Sequence, residues 1–211
     1  MNEHPDFDSS YRIELVRKAI HLCSLSIPIV YYFISRQVAL WIIIPLTIAF
    51  VAVDIARYYY PPVQQWFYRW FGSLLRPRES NAAHKRLNGA TYVLISATIC
   101  IFLFPKPIAI TSFSILIISD LMAALIGKRF GRHRFFGKTI EGSLAFFLSA
   151  VVVVLLAPKV HNQAGEYLIG TVAAAAGTIV EALPIEIDDN LSIPLVIGAI
   201  MWVLTACIYN I

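Results

Sequence analysis

The chain alternates long apolar runs with short connections rich in cations. The runs lie at about 19–34, 38–56, 88–104, 107–127, 142–158, 167–184 and 191–211. A bilayer-spanning helix needs roughly 20 mostly apolar residues, so the pattern predicts about seven transmembrane helices. Residues 58–80 keep a different rhythm. Val63, Trp66, Phe67, Trp70, Phe71, Leu74 and Leu75 recur at helical spacing, while Gln64, Gln65, Arg69, Ser73 and Arg76 take the other face. An aromatic apolar face backed by a basic polar one predicts an amphipathic helix lying in the membrane interface. Such a helix braces the bundle, and its place beside the central loop also suits the shaping of a lipid access path.

Composition agrees with the pattern. The chain is 58% hydrophobic and 14% charged, against about 25% charged residues in soluble domains. The expected fold is an all-α integral membrane protein, one polytopic domain over residues 1–211, with no room for a soluble domain. The first ten residues are polar and include Glu3, Asp6 and Asp8. The first apolar run contains His21 and Pro28 without a small-x-small cleavage site, so no cleavable signal is expected. Cys23, Cys100 and Cys207 each stand alone in apolar runs, as packing residues do.

Charge sets the expected orientation. One set of connections carries Arg12, Arg17 and Lys18, then Arg57, Arg69, Arg76, Arg78, Lys85 and Arg86, then Lys128, Arg129, Arg132, Arg134 and Lys138. The other set carries only Arg36, Lys106 and Lys159. The positive-inside rule places the N-terminus in the cytoplasm and the C-terminus outside.

Within the apolar runs a few polar residues stand out. Arg17, His21, Ser24 and Pro28 recur at helical spacing and draw a polar stripe along the first helix. Arg17 and Lys18 also suit plain anchoring at the membrane surface. Asp54 sits three residues before Arg57, which predicts an i,i+3 ion pair. Asp120 lies roughly 10 Å before the end of its helix near Gly127, on a face shared with Ala123, Ala124 and Gly127. Small residues let helices approach closely, so Asp120 should point into the bundle. An intramembrane acid is costly and by default a functional candidate. In the sixth run Gly170, Ala174, Gly177 and Glu181 form a similar seam that delivers Glu181 inward. The connection after it, with Glu186, Asp188 and Asp189, carries three acids and no base on the side where cations otherwise collect. A metal ion shared with an anionic ligand would explain these acids, as would a solvated turn.

The chain is organised around Ser119–Gly142, SDLMAALIGKRFGRHRFFGKTIEG. A buried acid followed by a glycine-broken cationic loop suits a polyphosphate and its metal ion. Lysine and arginine hold phosphate oxygens, and amides around Gly127, Gly131 and Gly137 suit an anion nest. Asp120, Glu141, Glu181, Asp188 and Asp189 offer the oxygen ligands magnesium prefers, and one of them would accept a proton from an attacking hydroxyl. Phosphoryl transfer needs chiefly this neutralisation and alignment. Gly137-Lys138-Thr139 is not a Walker A motif, because Arg132 stands where a glycine is required.

Four segments carry a resemblance. They are Arg17-Lys18-x-x-His21, RLNGAT at 86–91, the central SDxxAALIGKRFGRHRFFGKTIEGS, and EALPIEIDDNLSIP from Glu181. In this order they resemble the CTP-dependent lipid kinases, the polytopic family of dolichol kinase, phytol kinase and the fungal CTP-dependent diacylglycerol kinase. The family is distantly related to the CDP-diacylglycerol synthases. The resemblance implies transfer of the γ-phosphate of CTP to a lipid alcohol, an isoprenoid alcohol or diacylglycerol, with Mg2+ as the divalent ion. With the charge asymmetry this places the work at the cytoplasmic leaflet, and the chain is expected to be a multi-pass protein of a cell membrane, the cytoplasmic membrane of a bacterium, with no nucleic-acid partner. Its implied site has Asp120, Lys138 and Glu141 as catalytic residues. Gly127, Lys128, Arg129, Gly131, Arg132, Gly137 and Thr139 would bind the nucleotide, and Asp120, Glu181, Asp188 and Asp189 the metal. Arg17, Lys18 and His21 would serve the lipid or phosphate end. The chain is shorter than dolichol kinases, lacks the transit peptide of plastid phytol kinases, and has neither the His-Gly-Gly nor the Asp-Arg-x-Asp of the synthases. A lipid-phosphate cytidylyltransferase and a transporter of an anionic solute are the alternatives. Transporters usually bind near the midplane of repeated halves, whereas the polar groups here crowd one end.

Overall fold

The computed structural model describes residues 16–75, 86–136 and 138–209. A helix over 16–23 (α1) is followed by Ser26–Phe33 (α2), Arg36–Tyr59 (α3) and Pro61–Phe71 (α4). A single 3₁₀ turn at Gly72–Leu74 closes α4. Then come Gly89–Leu103 (α5), Lys106–Phe130 (α6), a hairpin of Arg134–Phe135 (β1) with Lys138–Thr139 (β2), Ile140–Leu156 (α7), Gly165–Ala182 (α8) and Asp189–Tyr209 (α9). Arg12, Arg76, Arg78, Lys85 and Gly137 lie outside the described residues.

Each predicted apolar run contains a helix, but the first is not continuous. Pro28 has no N–H, and its ring crowds the carbonyl four residues back, that of Ser24. The chain tightens there. Ser24, Leu25 and Ile27 donate to the carbonyls of His21, Leu22 and Ser24, three residues earlier, at 3.0 Å. The expected helix over 19–34 is therefore two helices joined by a turn. Among the described residues three helices, α3, α6 and α9, are long and apolar enough to cross a membrane; α5 and α7 are apolar but shorter.

Helix α6 is the axis of the bundle. It packs against α2, α5, α7 and α9, and 61% of its most apolar window is buried, against 22% for α3. Ile115, Leu116 and Ile117 in its middle are fully buried. Around the outside Trp41, Phe33 and Leu156 are at least three-quarters exposed. So wide an apolar surface suits lipid and not water.

Two glycine contacts fix the functional end. A Cβ on Gly142 would sit 3.0 Å from the Ala123 carbonyl oxygen and 3.3 Å from the Gly127 Cα. The backbones of α6 and α7 therefore meet directly. The seam on α8 behaves likewise. A Cβ on Gly170 would lie 2.5 Å from Val154 Cγ1, and one on Gly177 at 2.5 Å from Ile197 Cδ1. Close packing of this seam carries Glu181 to the interior, where it is 3% exposed.

Candidate functional site

The polar side chains of α1, α6, α8, α9 and β2 gather at one end of the bundle in two clusters. In the first, Lys18 Nζ donates to Asp120 Oδ2 at 2.5 Å, and His21 Nε2 stands 3.6 Å from the same oxygen. Lys18 is 8% exposed, so of the adjacent pair Arg17-Lys18 it is the lysine that turns inward. A helix brings Lys18 and His21 together because they lie three residues apart on one face.

In the second cluster, Lys138 Nζ lies 2.8 Å from Glu181 Oε1 and 3.1 Å from Asp189 Oδ2. Ser143 Oγ donates to the other Glu181 oxygen at 3.3 Å. Burial alone would lower the Lys138 ammonium, but the Asp189 and Glu181 carboxylates outweigh it and raise its pKa above the ordinary lysine value. Asp120 lies within electrostatic range of both Lys138 and Asp189, so the two clusters act as one charged neighbourhood.

The loop between the clusters is built by the hairpin. Arg134 pairs with Thr139 and Phe135 with Lys138, and Phe136 turns the chain with φ at 47°. Thr139 caps α7 by accepting the Gly142 amide at 3.2 Å. The Glu141 carboxylate is taken up by His133, whose Nδ1 lies 2.8 Å from Oε1. Glu141 thus holds the loop to the helix end. Lys128, Arg129 and Arg132 are exposed around it. Gly131 is wedged against Thr139, where a Cβ would lie 2.9 Å from Oγ1. In the acidic connection, Asp188 Oδ1 accepts the Asn190 amide at 3.0 Å and its side-chain NH₂ at 2.8 Å. Asp188 therefore shapes the start of α9, while its neighbour Asp189 faces Lys138.

A chamber of about 530 Å³ opens beside the first cluster. Arg17, Lys18, His21, Asn88, Asp120 and Asn190 form its polar end; Ile20, Phe50, Val53 and Val93 form its apolar walls, with Trp66, Phe67, Phe71 and Leu75 from α4 and the turn after it. The amphipathic helix is thus a wall of the chamber as well as a brace. Asn88 and Asn190 were not singled out by residue chemistry. Both fall inside the quoted motifs RLNGAT and EALPIEIDDNLSIP, which is the signal that pointed to them.

Among the described residues no three ligand side chains converge on a point suited to a metal ion. Of the four acids expected at a metal, Glu181 and Asp189 meet at the Lys138 ammonium, while Asp120 contacts Lys18 and Asp188 contacts Asn190. One or two carboxylates together with substrate phosphates are a usual magnesium site, so this donor pair fits that ion.

A helical bundle that buries acids and lysines at one end, beside an apolar chamber, has the makings of a membrane enzyme. Comparison with known proteins gives the family. The chain is 31% identical over 192 residues to the uncharacterized protein RP860 of Rickettsia prowazekii, covering 90% of this chain and 92% of that one. It is 25% identical over 165 residues to CTP-dependent diacylglycerol kinase 1 of Schizosaccharomyces pombe, covering 72% and 74%. Against the chloroplastic farnesol kinase of Arabidopsis thaliana it is 33% identical over 123 residues, 52% of this chain and 40% of that one. No family model matches, and no solved structure does. The chain belongs to the family of RP860, a family resembling the CTP-dependent lipid kinases. The kinases among its relatives support a lipid-kinase function.

Proposed function

We propose that the chain is a CTP-dependent kinase that transfers the γ-phosphate to a membrane lipid alcohol, working at the cytoplasmic leaflet of a bacterial membrane that it crosses with seven helices. The observation that carries this reading is the chamber. Its walls are apolar and aromatic, and its polar end holds Lys18, His21 and Asp120. A lipid chain would lie along the walls, and its hydroxyl would reach Asp120 at the polar end. Asp120 would accept the hydroxyl proton, the role of a positioned general base. Lys18 fixes the orientation of that carboxylate, and Arg17 and His21 would guide the phosphorylated product.

The nucleotide would lie over the second cluster. Lys138 would exchange its carboxylate partners for phosphate oxygens, and Lys128, Arg129 and Arg132 would neutralise the rest of the polyphosphate. Gly127 lies inside α6 and the Gly131 amide donates to its carbonyl at 3.1 Å, so these amides are engaged, and side chains, Thr139 among them, would line the nucleotide's path instead of an amide nest. Glu181 and Asp189 would hold a magnesium ion. When bound, that ion supplies charge neutralisation at the phosphates and at the departing diphosphate. Glu141 keeps its place at the site by anchoring the loop through His133.

Purified protein given magnesium and CTP labelled at the γ- or the α-phosphate, with a lipid alcohol in one sample and a lipid phosphate in a parallel one, tests the reading. Transfer of the γ label, with CDP left behind, is the expected result. Movement of the α label alone, onto a lipid phosphate, would make the protein a cytidylyltransferase.

A further inference from the structure

Asp54 and Arg57 are both completely buried, with Arg57 Nε 2.7 Å from Asp54 Oδ1. They form the i,i+3 pair that their spacing predicts, but the pair reaches beyond its own helix. The Arg57 guanidinium lies 4.8 Å from the centre of the Phe67 ring on α4. One of its NH₂ groups donates to the Arg86 carbonyl at 2.9 Å, and the Tyr58 hydroxyl donates to the same carbonyl at 2.7 Å. On the other side, Asp54 Oδ2 accepts the amide of Asn88 at 2.6 Å. Asn88 in turn caps α5 by accepting the Thr91 amide at 3.0 Å.

Phe67 and Asn88 both line the chamber, one on its apolar wall and one at its polar end. They come from elements that are separate in sequence, and the Asp54–Arg57 pair joins them. A buried ion pair is on average no more stabilising than apolar residues of the same volume. A brace within α3 alone would need none of the outside contacts.

We propose that Asp54 and Arg57 are positioning residues for the lipid-alcohol site, setting the separation between α4 and the start of α5. This rests on reading the chamber as the lipid site. Neither residue touches the reacting groups; each acts through Phe67 or Asn88. The expected signature is a change in handling of the lipid with the nucleotide unaffected.

Two variants test this. Arg57→Lys keeps the charge and loses the planar fork that stacks and donates in several directions. The double variant Asp54→Leu/Arg57→Met removes both charges without stranding either one. Two readouts apply: the apparent KM for lipid alcohol and for CTP, and saturable quenching of Trp66 by a dibrominated long-chain alcohol. The quenching uses protein in which Trp41, Trp70 and Trp202 are phenylalanine, with the unbrominated alcohol as competitor. In folded protein both variants should raise the lipid KM and the quenching midpoint about tenfold, equivalent to about 1.4 kcal/mol of lost affinity, with the KM for CTP unchanged. A double variant that folds and keeps the wild-type midpoint would overturn the proposal, as would an equal rise in both KM values. Wild-type protein that shows no saturable quenching overturns it too. If wild-type protein quenches saturably but moves no phosphate, the kinase reading fails, and the variants' quenching midpoints still decide the positioning role.

Discussion

Lys18 donates to Asp120 at 2.5 Å although the two residues are 102 positions apart in the chain. The contact ties the first helix to the central one at the polar end of the chamber. Asp120 is thereby held in place by a cation on one side and by α6 on the other. Replacing Asp120 by asparagine keeps the shape and removes the proposed base. Turnover of the lipid alcohol should fall about 10²–10⁴-fold, with the detergent-solubilised protein still eluting as a folded species. Near-normal turnover in a folded Asp120→Asn protein would take this residue out of the mechanism.

Lys138 is predicted to serve the nucleotide. Lys138→Ala should raise the KM for CTP more than that for the lipid. It should also destabilise the protein by about 1–3 kcal/mol, below the range for a fully buried pair because Lys138 is partly exposed. Adding Glu181→Gln should recover stability without recovering CTP affinity, and a thermal melt beside the kinetics separates the two effects.

The same lysine gives a pH expectation. Its folded pKa is raised above the ordinary 10.5, so its contribution to stability is fully present below 10.5 and lost as pH rises through the raised value. The difference in melting temperature between wild type and Lys138→Ala should stay flat from neutral pH to about 10 and shrink only beyond it. A difference that disappears near pH 8 would point to another group.

Gly142→Ala probes the crossing of α6 and α7. Its methyl would lie 2.9 Å from Thr139 Oγ1 and 3.0 Å from the Ala123 carbonyl oxygen. Backbone cannot yield as a side-chain tip does, so overpacking should cost about 1–3 kcal/mol, measured as a lower melting temperature.

Orientation is tested by labelling. Single cysteines placed at exposed positions of the 128–141 segment should react with a membrane-impermeant reagent only after cells are opened. Labelling from outside intact cells would reverse the proposed topology.

Much of this arrangement was legible in the sequence, for local reasons. Asp120 and Glu181 each sit on a face of small residues, and helical spacing alone directs both inward. The amphipathic face of α4 was equally plain, as was the Asp54–Arg57 pair at i,i+3. Pairings across the bundle were not legible. Nothing in the local pattern says that Lys18, and not Arg17, meets Asp120, or that Lys138 bridges Glu181 and Asp189; such contacts depend on how helices pack. The break at Ser24–Leu25 could be anticipated from Pro28, but the unbroken apolar run around it predicts a single helix. Glu141 reads as one more acid of the site, and its engagement by His133 depends on the hairpin turn.

The crossing of α6 with α7 and the α4 wall of the chamber differ in how much change they tolerate. Where α6 meets α7, the backbones of Ala123, Gly127 and Gly142 leave no space for an added methyl group. On the α4 wall Trp66 and Phe71 are 51% and 42% exposed, which leaves room for smaller or larger side chains. On the proposed lipid-site reading, selectivity for chain length and branching would drift along α4 while the charged end stays as it is. If the chain acts on a lipid alcohol as proposed, trimming that outer wall and leaving the glycine crossing alone would admit a bulkier one.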